Sequence, residues 1–171
     1  MESFDLRAIP LEETRALRRE VLRPCMTLDE LAAHEPAGSV AFGAFAGGKL
    51  VAVGLVGPEG EPGDWRVRGM ATREDARGRG AGSAILQALV QHAIERGATR
   101  VWCHARTLAR SLYERAGFVV ASGQFEPPRL GPHYRMELGA EQMDLGAEQM
   151  DLGAEQMELG APEQTPHCAT D

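Results

Sequence analysis

The sequence predicts an α/β protein, of the α+β kind, with a mixed, largely antiparallel sheet flanked by helices. The predicted element order is β-α-α-β-β-β-α-β-α-β-β. Three observations carry this. Short Val-, Phe- and Ala-rich runs alternate with segments of helical periodicity. Gly47-Gly48 joins two of those runs as a hairpin. The glycine run Arg77–Gly82 stands between a strand and a helix.

Residues Ser3–Ile9 read as a strand that Pro10 ends, and Leu11–Leu22 as a helix with Leu11, Ala16, Leu17 and Val21 on its apolar side. A second short helix is expected over Thr27–His34, with Thr27 as cap and Glu30 closing a capping box. Val40–Ala46 and Lys49–Val56 are the hairpin strands, and a Pro/Gly loop covers Gly57–Gly63. Trp65–Ala71 is the next strand, with Trp65, Val67 and Ala71 on one face. After the glycine run, Ile85, Leu86, Leu89, Val90 and Ala93 form a helical stripe that Gly97 caps. Thr99–His104 is an apolar strand. Thr107–Ala116 is a helix carrying Leu108, Leu112 and Tyr113, stopped by Gly117. Phe118–Ser122 and Tyr134–Leu138 are the last strands.

The rest of the chain differs in kind. Leu138–Asp144, Leu145–Asp151 and Leu152–Glu158 repeat the unit Leu-Gly-Ala-Glu-Gln-Met-Asp/Glu. Ala and Met fall at coiled-coil spacing, which would suit a homodimer. A Gly in every repeat opposes a helix, at about 1 kcal/mol each. We therefore expect a domain over residues 1–138 and an acidic, disordered tail over 139–171.

Charge and composition exclude several classes. The net charge is −7, and eight of the 25 acidic residues lie from Gly139 onward, where no Lys or Arg occurs. The body is close to neutral, so no nucleic-acid partner is expected. No apolar run approaches the length of a membrane span and no signal peptide is visible. Cys25, Cys103 and Cys168 are far apart and lack zinc-ligand spacing, so neither a metal site nor a disulfide framework is indicated. The expected location is the cytoplasm.

The chemistry concentrates in residues 77–82. Gly78, Gly80 and Gly82 let the backbone turn and approach a ligand closely. Unpaired amides at the following helix N-terminus favour a phosphate, and Arg77 and Arg79 add fixed positive charge. A Rossmann site needs G-x-G-x-x-G and an acidic residue after the next strand, which here ends in Cys103-His104. A P-loop needs G-K-[ST]. Neither pattern is present.

Arg77-x-x-Gly80-x-Gly82 resembles the R/Q-x-x-G-x-G/A motif of the GNAT N-acetyltransferase superfamily, and Ser83–Leu86 looks like the start of that family's pyrophosphate-binding helix. Ser111–Phe118, with its Tyr-x-x-x-Gly-Phe run, resembles the second hallmark. The resemblance covers roughly residues 3–138. The segment Phe125–His133 resembles an ending found in a little-characterised bacterial branch. The resemblance implies a GNAT-like sheet and acetyl-CoA as co-substrate. It implies that Arg77, Gly78, Arg79, Gly80, Ala81 and Gly82 hold the pyrophosphate. Met70 and Ala71 would lie along the pantetheine arm, and Tyr113 would return a proton to the leaving thiolate. The acetyl group would pass directly to an amine on a small molecule or a peptide, with no metal and no covalent enzyme intermediate. His133, His104 and Glu126 are candidate bases. Arg106 stands where many members of the family carry an Asn that contacts the cofactor arm. Two other classes are consistent with the sequence: a non-catalytic CoA-binding regulatory module, and an interaction protein that assembles through the heptad tail.

Overall fold

The computed structural model describes residues 2–144. Seven strands form one open sheet: β1 (Asp5–Ile9), β2 (Val40–Ala46), β3 (Lys49–Pro58), β4 (Asp64–Thr72), β5 (Arg100–Arg106), β6 (Val119–Val120) and β7 (His133–Gly139). Their order in space is β1-β2-β3-β4-β5-β7-β6. Every neighbouring pair is antiparallel except β4 and β5, which run parallel. Parallel strands need a crossover, and helix α3 (Ala81–Glu95) supplies it. The largely antiparallel sheet and the element order are those the sequence predicts.

Two helical layers cover the sheet. On one face α3 buries Ile85, Leu86 and Leu89 against Val56, Val67 and Val101. Helix α4 (Arg110–Arg115) adds Tyr113 beside Phe118 and Met136. Each fully buried Leu or Ile there contributes roughly 1.5–3 kcal/mol. On the other face α1 (Leu11–Leu22) sets Leu17 against Val53, Leu55 and Ala71. Helix α2 (Leu28–Ala33) opens with the expected capping box: Glu30 N–H donates to Thr27 Oγ1, and Thr27 N–H donates to Glu30 Oε2. Glu35, just beyond α2, accepts hydrogen bonds from both Arg15 and Arg18 and so ties the two helices together.

Two expectations are corrected. Trp65, Val67 and Ala71 do not share a face: Trp65 and Val67 pack toward α3, whereas Ala71 packs toward α1. The cause is a bulge. Val53 pairs with Ala71 and Leu55 with Arg68, so Gly69 and Met70 together oppose Gly54 alone. The body also continues past residue 138. β7 runs through Gly139, residues 140–144 form a helical turn, and Met143 is buried in the α3-side core. The heptads after Asp144 lie outside the described residues. Cys103 is a free buried thiol packed on the α3 side of the sheet.

Candidate active site

The site begins where two strands part. β4 and β5 pair only over Asp64–Arg66 and Arg100–Trp102. Beyond that point, among the described residues, no strand pairs with Val67–Thr72 on its β5 side, so the two strands leave a gap in the ladder there. An unpaired strand edge inside a protein presents free N–H and C=O groups to whatever fills the space. The bulge lies on this segment of β4. Gly69 has φ +59°, and a bulge re-aims the amides that follow, here those of Met70 and Ala71.

The glycine run closes one end of the gap. Gly78 and Gly80 have φ +74° and +88°, conformations that L side chains rarely adopt. Gly80 is the N-cap of α3, and no side chain caps that terminus. The first internal bond there runs from Ala84 N–H to the Gly80 carbonyl. Among the described residues the amides from Gly78 to Ser83 have no backbone partner. Gly82 differs from both: its φ is not in the left-handed region, and a β-carbon on it would make only ordinary contacts, 3.4 Å from Thr72 Oγ1 and 3.9 Å from Leu112 Cδ2, between the end of β4 and α4. Arg77 Nε donates to the Thr72 carbonyl at 3.4 Å, and Arg79 meets Glu2 at the surface. These residues fit a pyrophosphate: free amides converge, helix polarity is favourable, and two guanidiniums flank them.

Tyr113 projects from α4 into the core. It is 5% exposed, its ring meets Phe118 edge-to-face, and its hydroxyl donates to the Cys103 thiol. Cys103 is the first β5 residue past the last β4–β5 pair, so the hydroxyl reaches β5 where the gap opens. Burial pushes the Tyr113 hydroxyl well above its ordinary pKa, with Cys103 adding to the shift. Burial likewise pushes the Cys103 thiol up to about 12.

The opposite face of β5 and β7 carries the histidines and a group of arginines. Arg66 and Arg68 share Glu59. Arg66 and Arg135 stack on the two-ring system of Trp102 at 4.5 and 4.1 Å. Arg66 Nη2 lies 3.1 Å from His104 Nδ1. A guanidinium can only donate, so Nδ1 is the acceptor and His104 carries its proton on Nε2. Partial burial, then Arg66 and Arg135, push His104 down to about 4. His133 has the complementary arrangement. Its Nδ1 sits 2.8 Å from the Gly131 carbonyl, which can only accept, so Nδ1 is protonated and Nε2 holds a free lone pair. Burial lowers its pKa, with the Gly131 contact opposing. Glu126 is exposed in the loop between β6 and β7.

A parallel strand pair that stops pairing beside a glycine-capped helix N-terminus agrees with the GNAT-like sheet that the resemblance implies. The sequence model of the Acetyltransferase (GNAT) family matches residues 5–118. The chain belongs to the GNAT family of acetyltransferases. A curated relative, the uncharacterized N-acetyltransferase YitI of Bacillus subtilis, is 30% identical over 140 residues, covering 78% of this chain and 94% of that protein. Solved GNAT structures share the fold. The ribosomal-protein-S18-alanine N-acetyltransferase of Escherichia coli matches with TM-score 0.68 at 18% identity, over 81% of this chain and 94% of its own. A Bacillus subtilis acetyltransferase in complex with CoA matches with TM-score 0.63 at 15% identity, over 80% of this chain and 99% of its own.

Within this GNAT chain Met70 and Ala71 lie on the part of β4 that β5 does not pair, Gly82 lies near Thr72 and Leu112, and Tyr113 meets Cys103 of β5, with His104 and His133 on the opposite face of β5 and β7. Sequence reasoning missed the bulge and Arg23, whose half-buried guanidinium stands near Arg106. An isolated Gly within the strand pattern, Gly69, was the available signal for the bulge. No pattern in the sequence singled out Arg23. Among the described residues no group of three or more His, Cys, Asp or Glu side chains is placed to hold a metal, and no helix is long and apolar enough to cross a membrane.

Proposed function

We propose that this acetyltransferase moves the acetyl group of acetyl-CoA to an amine by direct attack. The observation that carries the reading is the parting of β4 from β5 after Arg66 and Trp102, beside the uncapped N-terminus of α3. In this reading the amides of residues 78–83 hold the pyrophosphate, helped by Arg77 and Arg79. The β4 edge at Met70 and Ala71 hydrogen-bonds the pantetheine arm and polarises the thioester carbonyl.

The reaction balances without a metal. A C–N bond forms as the C–S bond breaks, the acceptor nitrogen loses a proton and the departing thiolate gains one. His133 is the favoured base because its Nε2 lone pair is free, whereas His104 has its Nδ1 engaged by Arg66 and a protonated Nε2. Tyr113 is the favoured donor to the sulfur. Its raised pKa keeps it protonated across the working pH range. The acceptor is an amine on a small molecule or a peptide, and the reading places the protein in the cytoplasm with its co-substrate.

The test is thiol release from acetyl-CoA in the presence of an amine panel. Acceptor-dependent release supports the reading. Tight acetyl-CoA binding with no release for any amine would instead favour a non-catalytic CoA-binding module.

A further inference from the structure

Arg106 ends β5, and its Nη2 donates to the Leu22 carbonyl at 3.1 Å. Arg23 Nη1 donates to the same carbonyl at 2.9 Å. Leu22 is the last residue of α1, the helix that packs on β3 and β4. The Arg106–Leu22 contact therefore spans from the helix above β4 to the end of β5, across the region where the two strands have parted. α3 and its glycine-capped terminus lie on the other face of the sheet. The pair of arginines thus lines the mouth opposite the one through which the cofactor reading brings acetyl-CoA.

The pair is electrostatically incomplete. Both side chains are half-buried, and among the described residues neither has a carboxylate within 4.0 Å. Every other arginine cluster around this face is balanced: Glu59 serves Arg66 and Arg68, Glu35 serves Arg15 and Arg18, and Glu137 serves Arg135. Two guanidiniums carry ten N–H donors between them, and one backbone carbonyl leaves most of those donors open. Burial, followed for Arg23 by repulsion from Arg106, weakens the hold of each on its proton. His133, paired in register with Arg106 on β7, stands beside them.

We propose that Arg23 and Arg106 bind an oxyanion group on the acceptor, so that the amine acetylated here also carries a carboxylate or a phosphate. This rests on the acetyltransferase reading. Guanidinium forks bind both oxyanions in two-point fashion. The same positive field disfavours polycationic amines and favours loss of the proton from an acceptor ammonium, which must be neutral to attack.

The test titrates matched amines into the full chain saturated with CoA, by calorimetry. The pairs are glycylglycine against glycylglycinamide, and phosphoethanolamine against ethanolamine. The anionic member of at least one pair should bind about tenfold tighter or better, and which pair does so distinguishes carboxylate from phosphate. Arg23→Gln and Arg106→Gln should each remove most of that preference, and Arg23→Gln should keep CoA affinity within about twofold. If Arg106→Gln unfolds, Arg23→Gln and the salt dependence of the wild-type preference carry the test. Equal binding of anionic and neutral members, no binding of any anionic amine, or a preference that survives both substitutions would overturn the proposal. Wild-type protein that fails to bind CoA at all would sink the acetyltransferase reading and this inference with it. Normal CoA binding without the preference sinks the inference alone.

Discussion

The side chain of Arg18 lies against Gly69 so closely that a β-carbon there would stand 2.8 Å from its Nε. Glu35 holds that guanidinium from behind at 2.7 Å, and Thr14 touches it at 3.3 Å. The bulge on β4 is thus braced by α1 and, through Glu35, by the chain after α2. The strand edge bordering the gap is set by a helix on the other face.

This makes Gly69→Ala informative. The backbone at φ +59° costs an L residue roughly 1–2 kcal/mol, and the new methyl group must displace Arg18. Stability should fall by about 1–3 kcal/mol in denaturant unfolding. kcat/KM for acetyl-CoA should fall by about tenfold or more, because the amides of Met70 and Ala71 move with the bulge. Wild-type kinetics in a stable Gly69→Ala protein would separate the bulge from catalysis.

Gly82→Val tests the cradle without straining the fold. A β-carbon at Gly82 meets only ordinary contacts, and its φ is not in the left-handed region. The branched side chain would, however, fill the space between Thr72 and Leu112. Acetyl-CoA affinity should drop by about tenfold or more by calorimetry while the melting temperature shifts by no more than a few degrees. Unchanged affinity would mean that the cofactor does not pass this point.

His104 should make stability pH-dependent. Its folded value of about 4 lies below the unfolded value of 6.5, so the unfolded chain takes up a proton that the folded chain refuses. That contribution is fully present above pH 6.5 and is lost as pH falls through about 4. In His104→Gln the fall in melting temperature between those two pH values should be smaller than in the wild type. An identical fall would show that burial and the neighbouring arginines do not lower the proton affinity of His104 in the folded state.

Tyr113→Phe separates two roles. The ring is buried against Phe118, so the variant keeps that packing and loses only the hydroxyl and its bond to Cys103. A donor to the departing sulfur predicts kcat down by roughly a hundredfold or more with KM for acetyl-CoA little changed. The loss should shrink for a thioester whose thiol is more acidic. Wild-type turnover would leave Tyr113 as core alone.

Most of the fold was legible because local signals agreed with the tertiary outcome. Thr27 and Glu30 formed the box that their spacing promised, Gly47-Gly48 closed its hairpin, and the stripe from Ile85 to Ala93 found the sheet. The glycine run was legible for the same reason, since Gly78 and Gly80 adopt backbone angles that favour glycine. What escaped depended on partners distant in sequence. The bulge exists because Gly54, Gly69 and Arg18 meet across three elements, so strict alternation misplaced Ala71. Met143 read as tail, yet its side chain enters the core, which a repeat unit alone does not announce. The proton positions on His104 and His133 rest on Arg66 and the Gly131 carbonyl. The spacing of the histidines carries no trace of them.

In the proposed reading acetyl-CoA lies between β4 and β5 with its pyrophosphate on the glycine-capped end of α3. Amide hydrogen exchange with and without acetyl-CoA checks this position. Acetyl-CoA should slow exchange at residues 78–83 and at Met70 and Ala71, with NAD and ATP giving clearly less protection there. No protection of these amides by acetyl-CoA, or equal protection by NAD, would contradict it.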